Sequence, residues 1–296
     1  MEKRTFNILG LGLLVMTVTT TVAQTVFAVL CSPSFVSTDA FTYLSVTMLY
    51  FFGLPVFWLF VRRLPVCAPE PRRPLKFSQV LLSLAYSLGV TYLFNIFGNL
   101  LMTLVSLLQG RPVPNAVENL LTSGNLLWNL VIVSFCSPIV EEFIFRKLLL
   151  DRLKPFGDRI AIFYSAVAFG LFHMNFYQFF YAAALGAIFA YLTLRTGSIR
   201  LSILLHMLVN LFGSVVSTSV MQYGGAAGTV ALGLMVIGLI LFTVVWSILH
   251  FKDLRLQGAR FRFSRPITAG LVWLNPGTIL YLLLCGAFFV ANTFLV

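Results

Sequence analysis

Residues 125–148 read NLLWNLVIVSFCSPIVEEFIFRKL. Apart from the pair Glu141-Glu142 and the closing Arg146-Lys147, this is an apolar run of the length a helix needs to cross a bilayer, about 20 residues. A charge at mid-membrane costs roughly 2.5–3.5 kcal/mol even on lenient insertion scales. Two adjacent carboxylates inside such a run therefore need a compensating reason, and by default that reason is function.

Similar runs fill the rest of the chain, near 6–30, 41–61, 77–109, 160–174, 178–194, 201–220, 226–250 and 276–296. The 296 residues are 59% hydrophobic and 10% charged, with mean hydropathy +0.95, where soluble domains carry about 25% charged residues. That excludes an ordinary soluble enzyme, a disordered protein and a disulfide-stapled secreted domain. The alternating ten-residue strands of a membrane barrel are absent. The reading is all-α, a polytopic transmembrane bundle of eight or nine spans. It divides into N-terminal helices over 1–124, a catalytic core over 125–220 and C-terminal helices over 221–296, the last run being an accessory helix. The run to Leu30 is too long for a signal-peptide core and no small-residue cleavage site follows it, so it reads as the first span. Cys31, Cys67, Cys136 and Cys285 show no metal-ligand spacing and read as packed thiols.

The net charge of +11 comes from 20 Lys and Arg against 9 Asp and Glu. In a soluble protein that excess suggests nucleic acid; here it fits basic loops on one side of a membrane, with no nucleic-acid partner. Placing the N-terminus inside puts all basic residues except Arg111 on the cytoplasmic side, as the positive-inside rule expects. Such loops favour anionic lipids.

Ionisable groups enter the apolar runs at three places: Glu141-Glu142 with Arg146, His173, and His206 with Asn210. Glu142 and Arg146 are four residues apart, so they share a helix face and can pair with the acid N-terminal, the better orientation. Glu141 points about 100° away and stays free for chemistry. Pro138 should distort its helix and free a backbone carbonyl. His206 and Asn210 also share a face and can donate to a developing oxyanion. Glu141 with His173 can hold and deprotonate a water. Each feature has a bland reading: a satisfied membrane histidine, a structural Glu–Arg clamp. Six such groups within 70 residues make joint coincidence the weaker account. Ala182, Gly186 and Ala190 form a small-residue stripe that reads as packing. Asn95 with Asn99 and Asn125 with Asn129 read as helix–helix hydrogen bonding.

Competing intramembrane chemistries lack their signatures. HExxH is absent. Leu121-Thr122-Ser123-Gly124 lacks the first glycine of GxSG, and Gly157-Asp158 lacks the preceding glycine of GxGD.

At these positions the sequence resembles the CAAX-protease and bacteriocin-processing (CPBP, or Abi) family of intramembrane endopeptidases. The family pattern EExxxR, FxxxH, HxxxN stands here as Glu141-Glu142-x-x-x-Arg146, Phe169-x-x-x-His173 and His206-x-x-x-Asn210. Leu194–Ile199 also looks like the family, and the resemblance covers about 125–215. It implies hydrolysis of a peptide bond in a membrane-associated, in some members prenylated, protein. Carried over, Glu141 activates water beside His173. His206 and Asn210 form the oxyanion hole, and Glu142, Arg146 and Phe169 support the site. The family is described both as metalloproteases and as metal-free, glutamate-dependent enzymes. Glu141, His173 and His206 could bind Zn²⁺, but Asn210 is a poor zinc ligand, which weighs slightly against an obligatory metal.

The expectation is an integral-membrane endopeptidase of the bacterial inner membrane, with a cytoplasmic N-terminus and a membrane-anchored peptide or protein as substrate. A proton-coupled transporter, or a non-catalytic immunity or chaperone protein that kept the motifs, is the alternative. One difficulty accompanies it. Counted from Arg159, His173 lies about 21 Å deep, while Glu141 counted from Lys147 and His206 counted from Arg200 look shallow. The hairpin over 160–194 is therefore expected to be tilted or not to cross fully.

Overall fold

A computed structural model describes residues 2–67, 71–115, 118, 120, 125–261, 263 and 266–295. Leu121–Gly124, Arg262 and Arg265, which entered the sequence reading, lie outside the described residues. Among those described there is no strand. The long helices are α1 (Glu2–Leu30), α2 (Asp39–Val61), α3 (Phe77–Gln109), α4 (Leu126–Phe156), α5 (Asp158–Phe172), α6 (Phe176–Thr196), α7 (Arg200–Tyr223), α8 (Gly225–Asp253) and α9 (Pro276–Leu295). All but α5 are long and apolar enough to cross a bilayer, and the protein is an integral membrane protein. At 15 residues, α5 spans only about 22 Å.

The helices assemble because each carries small or apolar residues where a neighbour approaches. Phe6, Leu9, Leu13 and Met16 of α1 share one core with Phe57 of α2, Phe145 and Leu149 of α4, Phe169 of α5 and Tyr281, Cys285 and Phe289 of α9. A second core joins Leu88 of α3, Leu185 and Phe189 of α6, and Leu205 and Val209 of α7. The α6 helix contributes to both, and the functional motifs fall where α4, α5, α6 and α7 meet. The stripe on α6 is a packing stripe: Ala182, Gly186 and Ala190 are buried, and a Cβ added at Gly186 would lie 3.0 Å from Ala166 Cα on α5.

The last helix is not an accessory. A Cβ on Gly10 of α1 would collide with the backbone of Gly277 and Thr278, and one on Gly277 with Asn7. Only glycines allow helices to approach this closely. Further along, the Tyr281 hydroxyl donates to the Ala168 carbonyl of α5 at 3.1 Å. The ends of the chain thus brace the helix that leads to His173.

The fourth span does not stop at 148. The α4 helix runs on to Phe156, because Arg146 and Arg152, read as loop cations, are buried. Arg146 pairs inside the bundle, while Arg152 Nε donates to the Val61 carbonyl at the end of α2 at 2.6 Å. Two asparagine pairs also act differently from the sequence reading. Asn99 Nδ2 donates to Asn95 O and Oδ1 on its own helix. Asn125 caps α4 by accepting from Leu127 and Trp128 N–H. Asn129 does bond between helices, its Oδ1 accepting from Tyr43 at 2.8 Å.

Candidate active site

The site begins with a helix that changes winding. In α4, Asn129–Cys136 and Phe143–Leu149 are π-helical, and Ser137–Glu142 between them is α-helical with Pro138 in its first turn. Wide π turns are frequent at functional sites. Here the first one ends where Pro138 brings no N–H to the ladder.

The carboxylates separate as their spacing requires. Glu142 is fully buried, with its Oε2 3.1 Å from Arg146 Nε one turn on. Arg146 is also fully buried. Its guanidinium lies 4.5 Å from the Phe169 ring centroid, 5.8 Å from that of Phe189 and 6.0 Å from that of Phe145. Aromatic faces therefore take the place of water around a desolvated cation, worth about 2 kcal/mol or more for a cation–π contact in such surroundings. Glu141 retains some exposure, and Arg146 Nε turns to Glu142 instead.

His206 of α7 enters between the two glutamates. Its Nδ1 lies 3.1 Å from Glu142 Oε1 and its Nε2 3.8 Å from Glu141 Oε2. The first is a hydrogen bond. The second exceeds hydrogen-bond length. Ser202, one turn earlier on α7, lies near Glu142, its hydroxyl donating to the Ile199 carbonyl at 2.9 Å. Because Nδ1 faces an ionised carboxylate paired with Arg146, Nδ1 carries the hydrogen and Nε2 is turned toward Glu141.

His173 follows the last residue of α5. Its Nδ1 is 2.9 Å from the Phe169 carbonyl. A carbonyl only accepts, so Nδ1 donates and Nε2 is left with its lone pair. The next residue, Met174, holds φ 55°, a left-handed conformation unusual outside glycine. The turn is tied down on both sides. Asn175 Nδ2 donates to the His173 carbonyl at 2.7 Å and to Gln178 Oε1 at 2.8 Å, while Asn175 Oδ1 caps α6. Asn292 of α9 donates to the Met174 carbonyl at 2.9 Å.

Phe169 sits between the motifs. Its ring meets those of His173 and His206 edge to face, at 5.0 and 5.7 Å. The two legs bound the separation of the imidazoles at about 11 Å. The structure thus groups Glu141, Glu142, Arg146, His206, Phe169 and His173. Asn210 is placed beside them with its Nδ2 donating to the Val133 carbonyl of α4 at 2.9 Å. The imidazole facing Glu141 is that of His206.

Among the described residues, no group of three or more His, Cys, Asp or Glu side chains could hold a metal ion. In both histidines Nδ1 is engaged, by Glu142 and by the Phe169 carbonyl, which leaves each Nε2 lone pair free, an arrangement that metal-ligating histidines share.

The sequence reading missed several members. Tyr50 of α2 bonds Ser137 Oγ at 2.7 Å, one turn before Glu141. Tyr181 accepts from Gln178 Nε2 at 3.0 Å, extending the polar chain from Asn175. Phe189 lies 5.4 Å from the His206 ring. Helical spacing could have found Ser137 and Ser202, each four residues before a motif residue.

Residues 123–212 match the family model described as Type II CAAX prenyl endopeptidase Rce1-like. The match covers the segment that carries the three motifs. Over 84 residues the chain is also 33% identical to "Putative membrane peptidase YdiL" of Bacillus subtilis (strain 168), covering 28% of this chain and 34% of that protein. The chain spans about a third of the length of this curated relative. No solved structure matches. The CPBP resemblance read from EExxxR, FxxxH and HxxxN is therefore supported by both comparisons, at the level of a membrane endopeptidase family.

Proposed function

We propose that this protein is an intramembrane endopeptidase that hydrolyses a peptide bond of a membrane-associated protein or peptide through a glutamate-activated water. The observation that carries the reading is the division of labour between adjacent carboxylates. Glu142 is engaged by both Arg146 and His206, whereas Glu141 keeps some exposure and has, among the described residues, the free side of His206 as its ion-pair neighbour at 3.8 Å. A buried ion pair of no chemical use would not require a second carboxylate beside it.

In this reading a water lies between Glu141 and His173. Glu141 takes a proton as the water oxygen attacks the scissile carbonyl. His173 presents Nε2 as an acceptor because Nδ1–H is held by Phe169, and it relays the proton to the leaving amine. His206, with Glu142 behind it, stabilises the oxyanion from Nε2 when that nitrogen carries a proton. Asn210 has a second amide hydrogen left for the same oxyanion. Glu142, Arg146 and Phe169 hold this arrangement without touching the substrate. The substrate class suggested by the comparisons is a membrane-anchored chain, in the CAAX case one bearing a prenyl group. The bacterial inner membrane, a cytoplasmic N-terminus and contact with anionic lipids complete the proposal, supported by the one-sided distribution of Lys and Arg.

The test uses the full chain in lipid nanodiscs with a panel of membrane-anchored peptides, lipidated and plain. The wild type should cleave at least one of them. Glu141→Gln should cleave it at least a hundredfold more slowly, the lower range for loss of a general base. Equal cleavage by both proteins would remove Glu141 from the chemistry, and no cleavage by the wild type would count for a relay or a chaperone.

A further inference from the structure

Asn210 sits opposite a defect in the neighbouring helix. The register between α4 and the antiparallel α7 is fixed at two rungs: His206 Nδ1 to Glu142 Oε1 at 3.1 Å, and Ser214 Oγ to Ser134 Oγ at 2.9 Å. Eight positions separate the partners on each helix. The position of α7 midway between these rungs is Asn210, and the position of α4 midway is Pro138.

The backbone of α4 shows what Pro138 removes. Just before it, the Ser137 N–H bonds to the Ile132 carbonyl, five residues back. The next bond in that register would run from residue 138 to the Val133 carbonyl, and proline has no N–H to give. A polar backbone group inside a bilayer must find a partner within the protein. Val133 O finds one in Asn210 Nδ2 at 2.9 Å. The Asn210 carbonyl in turn accepts from Ser214 Oγ at 2.7 Å, so the two outer turns of contact on α7 are linked.

We infer that Asn210 is a positioning residue as well as an oxyanion donor: its amide replaces the hydrogen bond that Pro138 deletes from α4, and this clamp fixes the register in which His206 meets Glu141 and Glu142. The catalytic consequence rests on the proposed peptidase reading; the clamp itself does not. One amide hydrogen of Asn210 is spent on Val133, and only the other is free to meet a substrate.

The inference predicts coupling between two residues of different helices. In Pro138→Ala the new N–H can take the Val133 carbonyl, so the Asn210 donor becomes dispensable for register. The experiment is the cycle of wild type, Pro138→Ala, Asn210→Ala and the double variant. Thermal midpoint and peptide cleavage are both measured on the full chain in nanodiscs. Asn210→Ala should lower the midpoint and reduce kcat at least tenfold, with KM less affected. In the Pro138→Ala background the drop in midpoint should be at most half as large, and kcat should recover severalfold relative to Asn210→Ala alone. Equal drops in midpoint in the two backgrounds would overturn the clamp. Coupled midpoints with no recovery of kcat would overturn its role in placing His206. If the wild type cleaves nothing, the peptidase reading fails while the melting cycle still decides the clamp. Should Pro138→Ala not fold, Asn210→Leu removes the donor at nearly constant size; a wild-type midpoint in that variant would also overturn the inference.

Discussion

Phe145 and Phe169 stack edge to face with ring centroids 5.0 Å apart, and each lies twelve residues from Gly157, the corner between α4 and α5. One turn further from that corner on the two helices stand Glu141 and His173, each sixteen residues from Gly157. The antiparallel hairpin therefore carries an acid and an imidazole at equal sequence distance from the corner, each one turn beyond the ring pair. This rung predicts that the ring pair matters more for geometry than for stability. Phe169→Leu should keep the fold, costing about 1–3 kcal/mol as a core shape change. Cleavage should fall at least tenfold, because the edge contacts to both imidazoles and the face over Arg146 are lost together. Nanodisc melting and cleavage assays on one preparation check it.

The buried pair predicts a contrast between single and paired substitutions. Arg146→Met leaves Glu142 charged in the bundle, and breaking a buried pair this way costs about 3–5 kcal/mol. Combined with Glu142→Gln, the loss should be smaller than for Arg146→Met alone, because no uncompensated charge remains. Denaturation of the three variants in the same detergent gives the comparison. A double variant less stable than either single would contradict the buried-pair account.

The strained turn after His173 predicts opposite responses at adjacent residues. Met174→Gly adopts φ 55° without steric cost and should leave stability unchanged or slightly raised. Met174→Val should be destabilised, since a β-branched residue resists that conformation. Asn175→Ala removes the α6 cap, typically about 1 kcal/mol, and frees the His173 carbonyl. Its stability loss should be modest and its loss of kcat larger.

The glycine stripe predicts a steric limit. Gly186→Ala places a Cβ 3.0 Å from Ala166 Cα, so α5 must shift. Overpacking of this kind costs about 1–3 kcal/mol, and Gly186→Leu should not yield a folded protein in the same melting assay.

Much of the fold was legible because charges in a membrane chain mark its loops, and the runs between them are the helices. The exceptions share one cause. Arg146 and Arg152 look like loop cations by type, but one pairs with Glu142 and the other caps the end of α2. Lys147, taken as the end of the fourth span, lies inside a helix that runs on to Phe156, so a depth for Glu141 counted from it starts at the wrong residue. The 160–174 run read as a span is the 15-residue α5, short of the length that qualifies its neighbours.

In the site, the i,i+4 rule anticipated Glu142 with Arg146, as found, while Glu141 lies 3.8 Å from His206 Nε2 on another helix. Pro138 was expected to free a carbonyl; its partner, Asn210, comes from a helix 72 positions away in sequence, and no local pattern reveals that. Beside the expected grouping of Glu141 with His173 and His206 with Asn210 stands a contact that the spacing did not announce: His206 Nδ1 bonds Glu142 at 3.1 Å and its Nε2 lies 3.8 Å from Glu141. Interhelical register decides such contacts, and it is set by distant pairs such as Ser134 with Ser214.

The central claim is that Glu141 and His173 act on one water as a unit. The most direct measurement is the cleavage rate of one membrane-anchored peptide by Glu141→Gln, His173→Ala and the double variant. Residues that work as a unit lose nearly everything with the first removal, so the double variant should be no slower than the slower single variant. Losses that multiply would show two independent contributions and contradict the account.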